Sequence, residues 1–363
     1  MKLFILLLTF ALTLSATSSK QLPDDEILKK QIGRMLLVGF DSLHVDKSSK
    51  IIKQINKYEL GGVILFDIFY NDRSKNKNIK NPKQLQNLTS QLKKLSNKPL
   101  IISVDQEGGK VARLKPAYGF TQISSAKEVS ALHVDKAKEI YSTQAKMLRE
   151  NGINCDFAPV VDLAVNLNNK VIYGLERSYG SDANKVSKYA EIFMDSLRDE
   201  KVLSVLKHFP GHGSSLGDSH KGFVDITNTW SEKELEPYKE LIKKNKVKII
   251  MTAHVFNSKL DDKYPATLSY NINTKLLRQE MKYDGVIISD DLQMGAIREH
   301  YSLKEIVTLS INSGVNILLF GNQLAEQNLD ELVETILIQI KNGNIKYERI
   351  LESNRKINAL LNS

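Results

Sequence analysis

The sequence predicts an α/β fold, a single (β/α)8 barrel of the TIM type. Short apolar runs alternate with longer amphipathic stretches along the 363-residue chain, which is typical of a parallel sheet with helical crossovers. Eight such units in roughly 300 residues fit a closed barrel better than an open sheet. No glycine-rich dinucleotide or phosphate loop is present to favour the open alternative.

The strands are predicted where short, mostly apolar runs stand between helical stretches. In chain order they are 35–40 (MLLVGF), 62–66 (GVILF), 100–105 (LIISVD), 154–161 (NCDFAPVV), 202–208 (VLSVLKH), 248–255 (KIIMTAHV), 285–290 (GVIISD) and 316–320 (NILLF). Near-continuous apolar runs of this kind indicate strands that are buried on both faces.

The helices are predicted where apolar residues recur every three or four positions. The clearest, in chain order, are 82–95, 134–151, 183–200, 232–244, 324–342 and 346–361. No internal repeat or long linker interrupts the pattern. We therefore expect one barrel domain over residues 19–363, with no second C-terminal domain.

Residues 1–18 have the pattern of a secretory signal peptide. Lys2 precedes a short apolar stretch, residues 3–14, and small residues follow at 15–19. The apolar stretch is too short for a comfortable membrane span. We expect an exported protein, periplasmic or extracellular, with no membrane span after processing.

The composition excludes several classes of protein. The net charge is +9, but the lysines are spread along the chain, which indicates a solvated basic surface or an adaptation to an anionic polymer such as a cell wall. No basic helix, zinc-ligand spacing or aromatic–basic motif indicates nucleic-acid binding. The single cysteine, Cys155, cannot form an internal disulfide and is expected in the core. We expect a monomer without a metal or other cofactor.

Polar residues stand at the carboxyl ends of five of the predicted strands. They are Asp105 at the end of the third, Asp162 directly after the fourth, Lys207 and His208 at the end of the fifth, His254 near the end of the sixth, and Asp290 and Asp291 at the end of the seventh. Because the carboxyl ends of barrel strands meet at one face, where active sites lie, these side chains are candidate site residues.

The most informative stretch is 207–220, KHFPGHGSSLGDSH, whose glycines exclude a regular helix. Asp218 stands two residues before His220, so in an extended loop it can orient the imidazole and stabilise its protonated form. Lys207 and His208 are placed to bind sugar hydroxyls or a phosphate, and His212, between two glycines, is expected to stabilise the loop.

Asp290 and Asp291 end an apolar strand, and one of them is a candidate nucleophile or general base. Adjacent strand residues point in opposite directions, so only one is expected to face the barrel mouth. The alternative for Asp291 is a helix N-cap. His254 either lines the site or is a core histidine with its hydrogen bonds satisfied.

Four runs, KHFPGHGSSLGDSH, VDQEGGKVAR, VIYGLERSYG and ISDDLQMGAI, resemble the family 3 glycoside hydrolases, and most of all their bacterial β-N-acetylglucosaminidases. The resemblance covers nearly the whole chain after residue 18. It implies an exo-acting, retaining enzyme that removes terminal β-GlcNAc from peptidoglycan-derived fragments. Close single-domain relatives are often cytoplasmic recycling enzymes, so the predicted export signal favours trimming of wall fragments outside the inner membrane.

The resemblance also implies roles for individual residues. Asp290 matches the nucleophile that forms a covalent glycosyl–enzyme, His220 the general acid/base, and Asp218 its partner. The residues that match the groups binding the terminal sugar are Asp105, Arg113, Arg177, Lys207 and His208.

The length of the chain supports the same assignment of the acid/base. Many members of the wider family take an acid/base glutamate from a second domain, for which we expect no room after the eighth unit. His220 fills that role, and a histidine titrates near neutral pH without the tuning that a carboxylic acid needs.

Other functions remain open at this point. They are another β-glycosidase of the family, a GlcNAc phosphorylase, a reaction assisted by the acetamido group of the substrate, a metal-dependent barrel hydrolase and a non-catalytic wall-binding protein. The metal alternative is weakened because Pro210 and the glycines put His208 and His212 on a turn, whereas zinc sites draw histidine pairs from rigid elements.

Overall fold

The computed structural model describes residues 22–362, and a ring of parallel strands lies at its centre. The strands in chain order are β1 (Leu36–Gly39), β2 (Gly62–Ile64), β3 (Ile101–Val104), β4 (Cys155–Asp156), β5 (Leu203–Phe209), β6 (Val224–Asp225), β7 (Ile249–Thr252), β8 (Val255–Phe256), β9 (Val286–Ser289) and β10 (Leu318–Phe320).

Eight of these strands form the barrel, in the order β10, β1, β2, β3, β4, β5, β7, β9. The pairs are parallel, as in the register of Leu37 with Leu319 between β1 and β10. A parallel bridge between Ile288 and Ile317 joins β9 to the start of β10 and closes the ring. The predicted (β/α)8 barrel is confirmed.

Helices cover the outside of the ring. They are α1 (Asp25–Arg34), α2 (Lys50–Tyr58), α3 (Pro82–Leu95), α4 (Ala126–Val129), α5 (Val134–Glu150), α6 (Ala183–Asp199), α7 (Glu236–Lys243), α8 (Gly295–Arg298), α9 (Leu303–Ser313), α10 (Leu329–Lys341) and α11 (Tyr347–Leu361), together with a π-helix, Asn271–Glu280. Because helices lie against one face of the sheet and packed barrel side chains against the other, the four residues of β3 and of β9 are all buried.

Capping residues mark where two of the helices begin. Asn81 caps α3 by accepting the backbone N–H of Gln84, and Pro82 occupies the first turn. Ser302 and Glu305 form a capping box at the start of α9, a helix that the sequence analysis did not name.

The strand predicted over 154–161 is much shorter than expected. Regular pairing stops at Asp156, because Pro159 has no N–H to continue the ladder. The segment still follows β5 irregularly, since Val161 donates to the carbonyl of Lys207 at 2.8 Å. The helix predicted over 232–244 likewise begins with a 3₁₀ turn, Glu232–Leu235, before α7.

The barrel directs the ends of β3, β5, β7 and β9 to one mouth. A small parallel pair, β6 with β8, lies beyond the ends of β5 and β7 and supports the loop that follows residue 209. The signal peptide predicted over residues 1–18 lies outside the described residues. Between residues 22 and 362, no helix is long and apolar enough to span a bilayer.

Candidate active site

A cavity of about 560 Å³ opens at the mouth of the barrel, a size typical of small-molecule sites. The predicted site residues that line it together are Asp105, Arg113, Arg177, Lys207, His208, Asp218, His220 and Asp290. They come from the ends of strands β3, β5 and β9 and from the loops after β3, β4 and β5. The structure thus brings together groups that are up to 185 positions apart in the sequence (290 − 105 = 185).

Lys207 is the centre of an ion-pair network on one wall. Its Nζ lies 2.9 Å from Oδ1 of Asp105 and 2.7 Å from Oε1 of Glu107. Arg177 binds Glu107 with two hydrogen bonds of 2.7 Å, and Arg113 lies 3.3 Å from Oδ2 of Asp105. Each buried cation therefore has a carboxylate partner, which offsets the cost of burial.

The network keeps both carboxylates ionised. Burial acts to raise the pKa of Asp105, but Lys207 and Arg113 outweigh it and hold that pKa below its usual range. Burial likewise acts to raise the pKa of Glu107, and Arg177 and Lys207 outweigh it and lower that pKa. The wall can therefore accept hydrogen bonds from sugar hydroxyls through Asp105.

Sequence reasoning missed Glu107, although it stands two residues after Asp105 in the same motif. It is 6% exposed and binds two cations that the sequence analysis assigned to the sugar. The available signal was that Glu107 is a further carboxylate in the motif that contains Asp105 and Arg113. Its partners left no local pattern, because they lie 70 and 100 positions further along the chain (177 − 107 = 70; 207 − 107 = 100).

Replacing Glu107 by Ala is expected to lower the free energy of unfolding by about 3–5 kcal/mol, because it leaves Lys207 and Arg177 buried without their shared partner. Glu139→Ala is the control, since the Glu139–Lys136 pair is on the surface and is worth less than about 1 kcal/mol. Urea unfolding measures both. Equal losses from the two variants would contradict the expectation.

His208 is held in one tautomer. Its Nδ1 lies 2.6 Å from Oδ2 of Asp162, and its Nε2 lies 3.1 Å from a guanidinium nitrogen of Arg177. Because Arg177 can only donate, Nε2 accepts, and the ring hydrogen is assigned to Nδ1. Asp162 is 1% exposed and does not line the cavity; it fixes His208 and also accepts the backbone N–H of His212.

His254 also lies behind the cavity wall. It is 1% exposed; its Nδ1 lies 2.8 Å from the hydroxyl of Thr267, and its Nε2 donates to the carbonyl of Asp291 at 2.9 Å. Burial lowers the pKa of His254, in keeping with a neutral ring that holds the backbone next to Asp290. Of the two alternatives, the geometry matches a satisfied core histidine.

Asp290 and Asp291 differ in what they contact. Oδ1 of Asp290 accepts the backbone N–H of Asp291 at 2.8 Å, and the carboxylate lines the cavity. Oδ1 of Asp291 accepts the N–H groups of Gln293 and Gly321, both at 3.1 Å, so Asp291 also fixes the turn after β9.

The pKa values of the two carboxyl groups, Asp290 and Asp291, are also shifted in opposite directions. Burial acts to raise the pKa of Asp290, but the neighbouring imidazoles of His254, His208 and His220, together with the N–H of Asp291, outweigh it and lower that pKa. Burial raises the pKa of Asp291 to about 6. Asp290 therefore stays ionised to lower pH than Asp291, and its carboxylate is the one with an oxygen left for a nucleophilic role.

Asp218 and His220 form a pair that lines the same cavity. Nδ1 of His220 lies 2.9 Å from Oδ1 of Asp218, and half of the His220 side chain is exposed. The hydrogen bond between Asp218 and His220 lowers the pKa of Asp218 to about 2. Burial acts to lower the pKa of His220, but Asp218 and the charge of Asp290 outweigh it and raise that pKa. His220 can thus hold a proton near neutral pH.

The ring nitrogens of His212 are engaged in the loop. Nδ1 lies 2.7 Å from the hydroxyl of Ser215 and Nε2 lies 3.4 Å from that of Ser219. This matches the loop-stabilising role expected from the sequence. Within residues 22–362 no three His, Cys, Asp or Glu side chains converge in the way metal ligands do.

Known proteins are similar to this chain in sequence and in fold. The model of the glycosyl hydrolase family 3 N-terminal domain matches residues 27–360. β-Hexosaminidase A of Pseudoalteromonas piscicida is 31% identical over 334 residues, covering 84% of this chain and 54% of that protein. A β-hexosaminidase of Tolumonas auensis is 36% identical over 275 residues, covering 73% of this chain and 77% of that protein.

The solved structure of a family 3 β-N-acetylglucosaminidase from Paenibacillus sp. str. FPU-7 is similar with a TM-score of 0.82 and 31% identity, over 93% of this chain and 63% of that chain. This chain therefore spans only 54% of the Pseudoalteromonas protein and 63% of the Paenibacillus chain. The match of the family model to residues 27–360 confirms the resemblance inferred from the four motifs: the chain belongs to glycosyl hydrolase family 3.

Proposed function

We propose that this protein is an exo-acting, retaining β-N-acetylglucosaminidase that removes terminal β-GlcNAc from peptidoglycan-derived fragments. One observation carries the proposal: an ionised carboxylate, Asp290, and a carboxylate-paired imidazole, His220, line one cavity with a wall of hydrogen-bonding charges. The relatives described above carry the names β-hexosaminidase and β-N-acetylglucosaminidase, which supports the same activity.

In the first step, the free Oδ2 of Asp290 attacks the anomeric carbon, and the bond from that carbon to the leaving oxygen breaks. His220, protonated, gives its proton to the leaving oxygen, so the aglycone departs as a neutral alcohol. General acid catalysis of this kind contributes about 10²–10⁴-fold. The oxygen Oδ1 of Asp290 keeps its hydrogen bond to the N–H of Asp291, which orients the nucleophile.

In the second step, neutral His220 removes a proton from a water molecule, whose oxygen attacks the same carbon and releases Asp290. Two displacements on one carbon retain the β configuration. Asp218 stays ionised throughout and stabilises the imidazolium that forms.

The charged wall is suited to hold the sugar. Asp105 accepts from hydroxyl groups, while Lys207 and Arg113 donate. Directional donors and acceptors of this kind discriminate between sugars that differ in one hydroxyl or acetamido group.

The rim of the cavity supports an anionic aglycone. Arg73, Lys170 and Lys221 line the cavity, and none of the three forms an ion pair with the carboxylates of residues 22–362. Peptidoglycan fragments carry lactyl and peptide carboxylates, whereas chitin oligomers are neutral. Unpaired cations around the aglycone favour the former.

The double substitution Lys170→Gln, Lys221→Gln is expected to raise KM for a GlcNAc–MurNAc disaccharide by about 3–10-fold, since each exposed charge contact is worth up to about 1 kcal/mol. KM for chitobiose and for a neutral aryl β-GlcNAc should stay the same. Steady-state kinetics with the three substrates measure this, and Lys188→Gln, on the outer face of α6, is the control. A matched rise with all three substrates would count against an anionic aglycone.

The reaction class is tested by comparing hydrolysis of aryl β-GlcNAc with that of aryl β-glucoside. Selective turnover of the first supports the proposal, and turnover of neither overturns it.

Mass spectrometry after incubation with an activated fluoro-sugar should show Asp290 labelled; absence of an adduct would favour assistance by the acetamido group. Rates with and without phosphate distinguish hydrolysis from phosphorolysis.

We also propose that the protein is exported. This rests on the pattern of residues 1–18 and is tested by N-terminal sequencing of the protein from the periplasmic fraction.

A further inference from the structure

Two buried carboxylates hold three successive backbone N–H groups of the loop that leads to His220. Oδ1 of Asp162 accepts from His212 at 2.9 Å. Oε2 of Glu234 accepts from Gly213 at 2.9 Å and from Ser214 at 3.3 Å. Glu234 lies in the 3₁₀ turn before α7 and was not singled out by its sequence context. The first half of the loop is therefore held from beneath by side chains outside it.

The other side of the same segment is also held. Nδ2 of Asn169 donates to the carbonyl of His212 at 2.8 Å and to that of Gly213 at 3.1 Å. Gly211 lies directly against Glu234: a Cβ at Gly211, where φ is +123°, would lie 2.6 Å from Cβ of Glu234. The close approach of Glu234 thus requires glycine at that position.

Glu234 is in an unfavourable place for a charge. It is 1% exposed, it makes no ion pair within residues 22–362, and its Oε1 has no hydrogen-bond partner there. The ionised Asp162 faces it, and from α7 so does the phenol of Tyr238, which stays neutral. Burial, together with Asp162, raises the pKa of Glu234 to about 7. A buried group that costs stability and whose carboxylate accepts hydrogen bonds from a functional loop is typical of a positioning role.

We propose that Glu234 is a positioning residue, which holds the backbone at Gly213 and Ser214 so that Asp218 and His220 stand at the cavity. This rests on the proposed function, in which His220 moves the proton. The chain between Ser214 and Asp218 is short. Beyond the held segment 211–215, Leu216 is 68% exposed, so that segment supports the outer part of the loop. A displacement of about 1 Å at the acid is sufficient to reduce catalysis.

The effect on stability has a defined sign. A carboxyl whose pKa is raised by folding, from 4.5 to about 7, contributes stability below pH 4.5 that is lost as the pH rises through 7. His212, whose pKa burial lowers to about 4, is present in both proteins, so its own pH-dependent contribution cancels when the variant is compared with the wild type. Glu234→Gln removes this loss, so the free energy of unfolding of the variant increases relative to that of the wild type as the pH rises.

The test uses the full chain with Glu234→Gln, which removes the charge but keeps an acceptor oxygen, and Glu234→Ala, which removes the acceptor; Glu232→Gln, an exposed carboxylate two residues away, is the control. We expect the Tm of Glu234→Gln relative to wild type to rise between pH 5 and pH 8, with kcat near that of the wild type. In Glu234→Ala, kcat for a GlcNAc disaccharide should fall about 10-fold while KM stays within two-fold. With a 2,4-dinitrophenyl leaving group, which needs no acid in the first step, the loss of kcat/KM in Glu234→Ala should shrink.

An unchanged kcat in Glu234→Ala, an equal loss of kcat/KM with both leaving groups, or a Tm difference of Glu234→Gln that does not vary with pH would overturn the proposal. A variant that does not fold at pH 8 would also overturn it, because it would show that Glu234 is a structural necessity. If the wild type itself does not act on these substrates, the proposed function fails, while the Tm comparison still reports the buried charge.

Discussion

Asp290→Ala is expected to lower kcat for an aryl β-GlcNAc by at least about 10⁴-fold, a loss typical of removing a nucleophile. The physical reason is that no other carboxylate replaces it. Oδ1 of Asp291 is occupied by the N–H groups of Gln293 and Gly321, and burial raises its pKa to about 6. Steady-state kinetics on the purified variant measure the loss.

Azide provides the second measurement for the same variant. Removing the carboxylate leaves space on the face of the sugar opposite the leaving group, where azide can attack. We expect partial recovery of turnover and an α-glycosyl azide as product, because only one displacement then occurs. Asp262→Asn, an exposed carboxylate, is the control and should show wild-type rates. A loss below about 10-fold, or a β-configured azide, would exclude Asp290 as the nucleophile.

The barrel was predictable because each strand is a short apolar run between amphipathic helices, and burial on both faces leaves this mark on the sequence. Strand ends were less predictable. The run 154–161 is apolar throughout, yet regular pairing stops after Asp156, because Pro159 cannot donate a ladder hydrogen bond. Hydrophobicity reports burial, and hydrogen bonding decides where a strand ends.

The site was predictable where its residues stand at strand ends or at short spacing, as Asp218 and His220 do. It was not predictable where a role depends on partners distant in sequence. Glu107 binds Lys207 and Arg177, and Glu234 holds the loop at Gly213, and neither contact leaves a local pattern. For Asp162 and His254 the local pattern indicates a site position that the structure does not show. Both stand at or directly after the end of a strand, as site residues do, but both lie behind the cavity wall.

His220→Ala is expected to lower kcat for a disaccharide substrate by about 10²–10⁴-fold, the contribution of a general acid. Measured as kcat/KM, which reports the first step, the loss should be far smaller for a 2,4-dinitrophenyl leaving group, because that oxygen leaves without a proton. His133→Ala is the matched control: His133 also pairs with an aspartate two residues away, at 3.1 Å from Asp135, but on the surface. Equal losses with both leaving groups would contradict the assignment.

The pH profile separates the acid from its partner. The pKa of His220 is raised, because Asp218 and Asp290 outweigh the effect of burial, so the proton is held above pH 6.5 and kcat/KM should fall only at higher pH. Asp218→Asn removes one of the two charges, so the alkaline fall should move to lower pH while the acid side, set by Asp290, stays in place. An alkaline limb that does not move in Asp218→Asn would show that His220 is not the group whose proton the reaction requires.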